Sequence, residues 1–338
     1  MSHGNGASGL RVSVLITNHN YGRFLDDCLA SLAAQTRAPD QIVVVDDGST
    51  DDSRERLARL EPDPRLKVIL QEQRGQVGAL DTAIAAADGD VLCLLDADDA
   101  FAPDKIERVV ELFSRHPHIE WLRHPLALVD TELRLLGPRV PPIVRSGVVV
   151  PRPELIAERV ITAATSGLVI RRSLAERIAP LSPTHEGAAA FRLTRDADAL
   201  VLGRIARLCA PGYTANMPLA LYRRHEDQMY PDSRHVTVLL ERQIEVAKAV
   251  AADLGTPYGN GLLPSPCHKH AMILATLNGA GRFALTRTRE WLGGARSIVR
   301  SLTGRPVAAA RQMAALTFAY VAPGAWLRRF HRGQAWTS

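Results

Sequence analysis

Val91-Leu92-Cys93-Leu94-Leu95-Asp96-Ala97-Asp98-Asp99 runs five apolar residues straight into three carboxylates. A short continuous apolar run reads as a strand buried on both faces. Acids at its end put carboxylates at one edge of a sheet. Upstream the same form occurs twice: Val12 to Thr17 leads into Asn18-His19-Asn20, and Gln41 to Asp46 leads into Asp47-Gly48-Ser49. Leu66 to Leu70 is a further short strand. Helical stretches separate them. Phe24, Leu25, Cys28, Leu29 and Leu32 recur at helical spacing, with Asn20 placed to cap that helix. Gly48-Ser49-Thr50 is expected to cap a short charged helix, Gly75 to Ala87 is an Ala-rich helix, and Pro103 opens one running to about His116. Strand and helix alternating over short connections predict an α/β protein with a mostly parallel sheet covered on both faces. Such sheets bind ligands beyond the carboxyl ends of their strands.

That rule singles out Thr17 to Asn20, Asp46 to Ser49 and Asp96 to Asp99. Asp96, Asp98 and Asp99 crowd one turn. One of them could cap the next helix, but three carboxylates repel unless a cation sits among them. Oxygen ligands of this kind suit Mg²⁺ or Mn²⁺, which in turn hold the diphosphate of a nucleotide. A carboxylate of Asp46-Asp47 can accept a hydrogen bond from a base imide N–H, and Gly48 lets backbone approach a ligand closely.

Val12 to Asn20, Ser31-Leu32 with Gln35-Thr36, Ile42 to Asp51, Gly75-Gln76 and Leu95 to Asp99 together resemble family-2 glycosyltransferases of the GT-A fold, in order and spacing over about residues 11–117. Weaker matches follow at Thr165-Ser166-Gly167 with Arg171-Arg172, at Asp196-Ala197-Asp198 and at Tyr222-Arg223-Arg224-His225. The resemblance implies an inverting, metal-dependent transferase that moves a sugar from a nucleotide-sugar donor, a UDP-sugar by preference, to an acceptor hydroxyl. By position, Thr17, His19, Asn20 and Asp47 would line the nucleoside pocket. Arg74 and Gly75 would close over the nucleotide, and Asp96 would contact ribose or sugar. Asp98 would ligate the metal, with Asp99 as the competing assignment and His225 as a further ligand. Asp196 falls at the general base, with Asp198 as the alternative, and Arg223 and Arg224 could face the diphosphate. A glycan or lipid-linked saccharide is the implied acceptor, in cell-surface glycan or glycoconjugate synthesis.

Departures from the family pattern are informative. His19 replaces the usual tyrosine, and Asp81 and Ala83 stand where Asn and Gly are common; the first two could shift nucleotide preference. The Q-x-x-R-W motif of processive polysaccharide synthases is missing, which favours single additions. The implied organisation is a disordered 1–10, a GT-A domain over 11–233 (nucleotide-sugar half 11–117, acceptor half 118–233) and a helical, basic extension over 234–338.

The chain has 338 residues, 46% hydrophobic and 23% charged, which excludes wholesale disorder. Four dispersed cysteines without a C-x-x-C pair exclude a disulfide scaffold and a cysteine zinc site. Met1 to Leu10 lack the basic start and apolar run of a signal peptide, so a cytoplasmic chain is expected. From Leu254 onward eleven Lys/Arg face one acid, Glu290, while the first 253 residues carry net −5. That asymmetry marks the C-terminal region as a candidate contact with the inner face of an anionic membrane. Met313 to Leu327 is too short to span one but could lie in its interface. Thr162 to Ile170 reads as a strand, and Ala197 to Leu208 and His235 to Leu254 as helices.

Several motifs are decoys. Gly4, Gly6 and Gly9 spell the dinucleotide fingerprint before the first strand, where its mechanism has no use for it. Cys267-His268-Lys269-His270 lacks a second ligand pair. The basic tail has no interleaved stacking aromatics, so nucleic acid is not an expected partner. The rival from another class is a catalytically silent nucleotide-binding scaffold of an envelope-assembly complex.

Overall fold

The protein is described by a computed structural model covering residues 9–141, 143, 145–152, 162–182, 197–225, 285–301 and 306–321. Its elements follow the expected alternation: β1 (Val12–Asn18), α1 (Gly22–Ala33), β2 (Gln41–Asp47), α2 (Ser53–Ala58), β3 (Leu66–Gln71), α3 (Gly75–Ala86), β4 (Val91–Asp96) and β5 (Ala100–Phe101). Then come α4 (Lys105–Arg115), β6 (Trp121–Arg123), β7 (Leu126–Val129), β8 (Leu135–Val140), β9 (Gly147–Val149), β10 (Leu168–Arg171), α5 (Arg172–Ile178), α6 (Ala197–Arg207), β11 (Gly212–Thr214), β12 (Ala220–Arg223), α7 (Leu285–Ser301) and α8 (Pro306–Val321).

Among the described residues the strands form an eight-stranded sheet, β3-β2-β1-β4-β10-β6-β11-β9, and a four-stranded sheet, β5-β12-β7-β8. Strands β1 to β4 are parallel, β10 runs against β4 and β6, and β11 is parallel to β6. The carboxyl ends of β2, β1, β4, β6 and β11 therefore share one edge. Residues 11–117 and 118–233 contribute strands to this same sheet.

Buried strands divide their side chains between two cores. Leu15, Val43, Val45, Leu92 and Leu94 face α3, α5 and α6. Val14, Ile16, Val44, Cys93 and Leu95 face α1 and α4. Alternation of apolar residues on both faces is what a strand covered by helices on both sides requires. Ile298, Leu316 and Ala319 of α7 and α8 are buried in the first core, with Trp291 and Met313 packed against it. No helix of the described residues is long and apolar enough to cross a membrane. Val321, at the end of α8, is exposed, and residues 322–327 of the segment read as interfacial lie outside the described residues.

Four local expectations are corrected. Asn20 does not cap α1: it sits at φ 59, and its Oδ1 accepts from the N–H groups of Thr50 (2.7 Å) and Asp51 (3.3 Å). The first turn of α1 is instead satisfied by Asp51, which accepts from Gly22 N–H at 2.9 Å. Asp51 also accepts from Ser53 N–H at 3.0 Å, so the start of α2 is held by Asp51 rather than by Gly48 to Thr50. Helix α4 begins at Lys105, two residues after Pro103, whose carbonyl receives Thr36 N–H. The strand read over Thr162 to Ile170 is confined to β10, because Thr165–Gly167 winds into a 3-10 turn. Partners distant in sequence hold that turn. Lys105 Nζ donates to Ser166 O at 2.8 Å, and His124 N–H to Gly167 O. The helix read over His235 to Leu254 lies outside the described residues.

Gly212 opens β11 under Trp121, whose indole N–H is donated to Ala210 O at 2.9 Å. A Cβ there would come within 2.1 Å of Trp121 Cε2. Gly212→Ala is therefore expected to overpack the core and lower stability by about 1–3 kcal/mol, read by urea denaturation. Unchanged stability would mean that the indole is not held as described.

Candidate active site

Asp96 closes β4, and the turn that follows brings Asp96, Asp98 and Asp99 together, with ligand oxygens within 4.8 Å of one another. Burial and the Asp98 charge push the Asp96 carboxyl up to about 7, and the same causes raise Asp99 well above the carboxylate range. Such a cluster holds protons at low pH and has room for a cation once they leave. All donors are carboxylate oxygens, which fits a hard divalent ion.

Donors from distant elements hold these acids in place. Asp96 Oδ1 accepts from Gln76 Nε2 at 2.7 Å and from Thr17 Oγ1 at 3.3 Å, and its N–H goes to Ser166 Oγ at 3.0 Å. Asp99 Oδ1 accepts the Arg223 N–H at 3.1 Å. Arg223 is fully buried; its Nε donates to Asp98 O at 2.9 Å, its Nη2 to Asp27 Oδ2 at 3.0 Å and its Nη1 to Thr131 O. That corrects the expectation that Arg223 faces a diphosphate: its guanidinium is occupied beneath the acidic turn. Lys105, also fully buried, stacks 3.5 Å over Phe101, and burial pushes its ammonium down to about 7.

His225 Nε2 lies 3.2 Å from Asp98 Oδ2, and Arg23 Nη2 lies 3.3 Å from its Nδ1. Arginine can only donate, so Nδ1 accepts and the ring proton sits on Nε2, donated to Asp98. Serving as a metal ligand through Nε2 would require the proton to leave and the Arg23 bond to give way. Asp196 lies outside the described residues. Asp198 stands in the first turn of α6, its Oδ1 accepting from Ala199 N–H at 2.8 Å.

At the end of β2, Asp47 Oδ1 accepts from Gln71 Nε2 (2.6 Å) and from Arg74 N–H (2.7 Å). Gly48 takes φ +73, and a Cβ there would meet Gln73 N at 2.7 Å, so both the backbone and the space at this turn call for glycine. Gly75 takes φ +77, letting the chain turn from Arg74 into α3. The Arg74 side chain itself is exposed. His19 Nδ1 bonds Asp47 O at 2.8 Å, which leaves Nε2 to accept from Gln73 (3.1 Å) and Asn20 (3.3 Å). Asn20 is thus a tie between two strand-end loops. Asp81 is corrected as a nucleotide-preference residue: its carboxylate accepts from Leu181 N–H (2.6 Å) and Ser182 N–H (2.9 Å), anchoring the loop after α5.

Sequence reading missed Lys105, Asp27, Gln71 and Gln73, and named Gln76 only within a motif. None has a local signal, since each acts on a residue at least 20 positions away or through a loop. Gln76 Oε1 is buried without a partner among the described residues, an open acceptor beside Asp96.

Residues 13–143 match the family model described as "Glycosyl transferase family 2". An uncharacterized glycosyltransferase of Nostoc sp. is 35% identical over 183 residues, covering 52% of this chain and 55% of that protein. The succinoglycan biosynthesis protein ExoO of Rhizobium meliloti is 35% identical over 101 residues, 30% of this chain and 29% of that one. The chain thus spans about half the length, or less, of these curated relatives. S. aureus TarS in complex with UDP-GlcNAc superposes with a TM-score of 0.56 at 16% identity, over 96% of this chain and 93% of that one. The mannosyltransferase PcManGT of Pyrobaculum calidifontis, in complex with GDP-Man and Mn²⁺, gives 0.53 at 19% identity, over 98% and 85%. The fold is GT-A.

Asp98 raises both of its carboxylate neighbours, so removing its charge relieves two repulsions at once. Asp98→Asn keeps an oxygen for His225 and is expected to raise the melting temperature of the metal-free protein at pH 8 by a few degrees, followed by calorimetry. A lower melting temperature would show that the three carboxylates do not repel as their spacing requires.

Proposed function

We propose that this chain, whose residues 13–143 belong to glycosyltransferase family 2, transfers a sugar from a UDP-sugar to an acceptor hydroxyl with inversion, in cell-surface glycan or glycoconjugate synthesis. The observation that carries the reading is the carboxylate triad at the common strand edge, beside the Asp47 pocket at the end of β2. TarS with UDP-GlcNAc and PcManGT with GDP-Man and Mn²⁺, alike in fold, support a nucleotide-sugar donor and a divalent metal.

Uracil is favoured over guanine by the state of Asp47. Its Oδ1 already takes two N–H donors, and among the described residues Oδ2 receives none. One carboxylate oxygen suits the single imide N–H of uracil, whereas guanine offers two donors side by side and needs both oxygens. The His19 ring, held at both nitrogens, forms a fixed wall beside that carboxylate.

Asp98 and Asp99, with Asp96, would hold Mn²⁺ or Mg²⁺, and His225 is a further candidate ligand. When bound, the ion supplies positive charge for the diphosphate as it leaves. Thr17 and Gln76 orient Asp96 for a sugar or ribose hydroxyl, and Gln76 Oε1 can accept one more. Inversion requires a base that takes the acceptor proton as oxygen attacks C1 from the face opposite the leaving diphosphate. Asp196, just before α6, is proposed for that task, with Asp198 as the alternative. Arg74 is exposed at the pocket mouth, where it could close over the nucleotide with Gly75.

Free nucleotide should be released from a UDP-sugar with Mn²⁺ or Mg²⁺, and the release should stop with EDTA or Asp98→Ala. Asp196→Ala should lower turnover by about 10²- to 10⁴-fold without weakening UDP binding. UDP binding with no turnover of any donor would fit the silent scaffold instead. By calorimetry UDP should bind at least about tenfold tighter than GDP, a difference of about 1.4 kcal/mol; the reverse order would remove the uracil assignment.

The raised acids also set a pH dependence. Asp96 stays protonated in the folded protein up to about 7 but not in the unfolded chain, so metal-free stability should fall as pH rises from about 4 to 7. Metal must displace that proton. The rise in melting temperature on adding Mn²⁺ should therefore be larger at pH 8 than at pH 6; equal rises would argue against Asp96 as part of the metal site.

A further inference from the structure

Ser166, in the turn Thr165–Gly167, is tied at both ends. Its Oγ accepts the Asp96 N–H at 3.0 Å, and its carbonyl accepts from Lys105 Nζ at 2.8 Å. The first bond has a structural cause. The ladder between β4 and β10 covers Val91 to Cys93, so the N–H of Asp96, beyond its end, needs another acceptor. The serine hydroxyl supplies it and fixes the peptide from which the Asp96 carboxylate projects. Thr165 joins from the same turn. Its Oγ1 lies 3.4 Å from the Gln76 Nε2 that donates to Asp96 Oδ1 at 2.7 Å.

Lys105 is held firmly for its contact with that carbonyl. It is the first residue of α4 and is fully buried. Gln35, buried just past the end of α1, clamps the backbone before and after it. Its Nε2 donates to Ala102 O at 2.8 Å, and its Oε1 accepts from Ile106 N–H at 3.1 Å. The ammonium lies 3.5 Å from the centroid of the Phe101 ring, a cation–π contact. A neutral donor would hold a carbonyl without the cost of burying a charge. The Asp99 charge offsets part of that cost and ties the lysine to the acidic turn. Gln35, Lys105, Ser166 and Asp96 thus form one chain of contacts from the end of α1 to the end of β4.

We propose that Lys105 is a positioning residue for the metal site: by holding the Ser166 carbonyl it seats the Ser166 hydroxyl on Asp96 and so fixes that carboxylate for the cation. This role rests on the metal-dependent transferase reading. Charge and position act in opposite senses here. Removing a nearby positive charge, with nothing moved, would strengthen cation binding at three carboxylates. Releasing the turn weakens it, because Asp96 must then be ordered as the ion binds. The sign of the change separates the two.

The test uses the full chain, first without metal. Lys105→Met keeps an unbranched side chain on Phe101 and removes the ammonium. Hydrogen exchange at the Asp96 N–H, followed by ¹⁵N NMR, should be at least about tenfold faster in the variant. Exchange at the Arg74 N–H, which is bonded to Asp47 Oδ1, should stay within about twofold. Mn²⁺ alone, followed by the loss of its free EPR signal, should bind at least about tenfold more weakly, while UDP alone, by calorimetry, stays within about twofold. Mn²⁺ affinity that is unchanged overturns the proposal, and tighter affinity overturns it by leaving Lys105 a charge effect only. A parallel loss of UDP affinity overturns it too, because general damage then accounts for both. Should Lys105→Met fail to fold, Ser166→Ala leaves the lysine in place and must give the same faster exchange and weaker Mn²⁺ binding; if it changes neither, the positioning role is wrong. An unaltered protein that binds no Mn²⁺ would refute the metal reading and the proposal with it, whereas Mn²⁺ held equally by the unaltered protein and Lys105→Met refutes the positioning role alone.

Discussion

Mutual repulsion among Asp96, Asp98 and Asp99 is the constraint around which the rest of the structure is arranged. Three carboxylates with ligand atoms inside 4.8 Å bring like charges together at one turn. They remain there because the backbone of β4 delivers them and because donors converge on them from β1, α3, the 3-10 turn and β12. Arg223 is the clearest case. It holds the Asp98 carbonyl and, through its backbone, the Asp99 carboxylate, and is itself neutralised by Asp27 from α1. Residues 27, 98 and 223 thus form one electrostatic unit that spans most of the described GT-A domain.

The nucleotide side is arranged on a different principle. Hydrogen bonds link Gln71 to Asp47, Asp47 to His19, and His19 to Gln73 and Asn20, joining three strand-end loops. Tied together they present one carboxylate oxygen and one ring in fixed positions, which favours binding because little conformational entropy is left to lose. Gly48 and Gly75, both at positive φ, allow the chain to make these turns.

Much of this was legible in the residues themselves. The apolar runs of β1, β2 and β4 are buried on both faces, as their lack of alternation requires, and the edge they share follows from parallel pairing. Failures came where a local rule met a distant partner. Asn20 has the chemistry of a cap but is used to bridge to Thr50. Thr165 to Gly167 has strand-forming neighbours but is wound into a turn by Lys105. Asp81 is a surface-type residue that receives two backbone N–H groups from a loop one hundred positions later.

By itself the sequence determined the fold class, the order of the elements and the kind of chemistry at the strand ends, because burial and periodicity act over a few residues and carboxylate spacing is written in the chain. Only the tertiary structure decided which side chains are free to act. It committed Arg223 and Asn20 to support, set the proton of His225 toward Asp98, and drew Leu316 and Ala319 of α8 into the core. Those outcomes depend on pairings between residues far apart in the chain. Hydrogen-bonding capacity belongs to a residue type, but whether it is already spent depends on what the fold brings beside it.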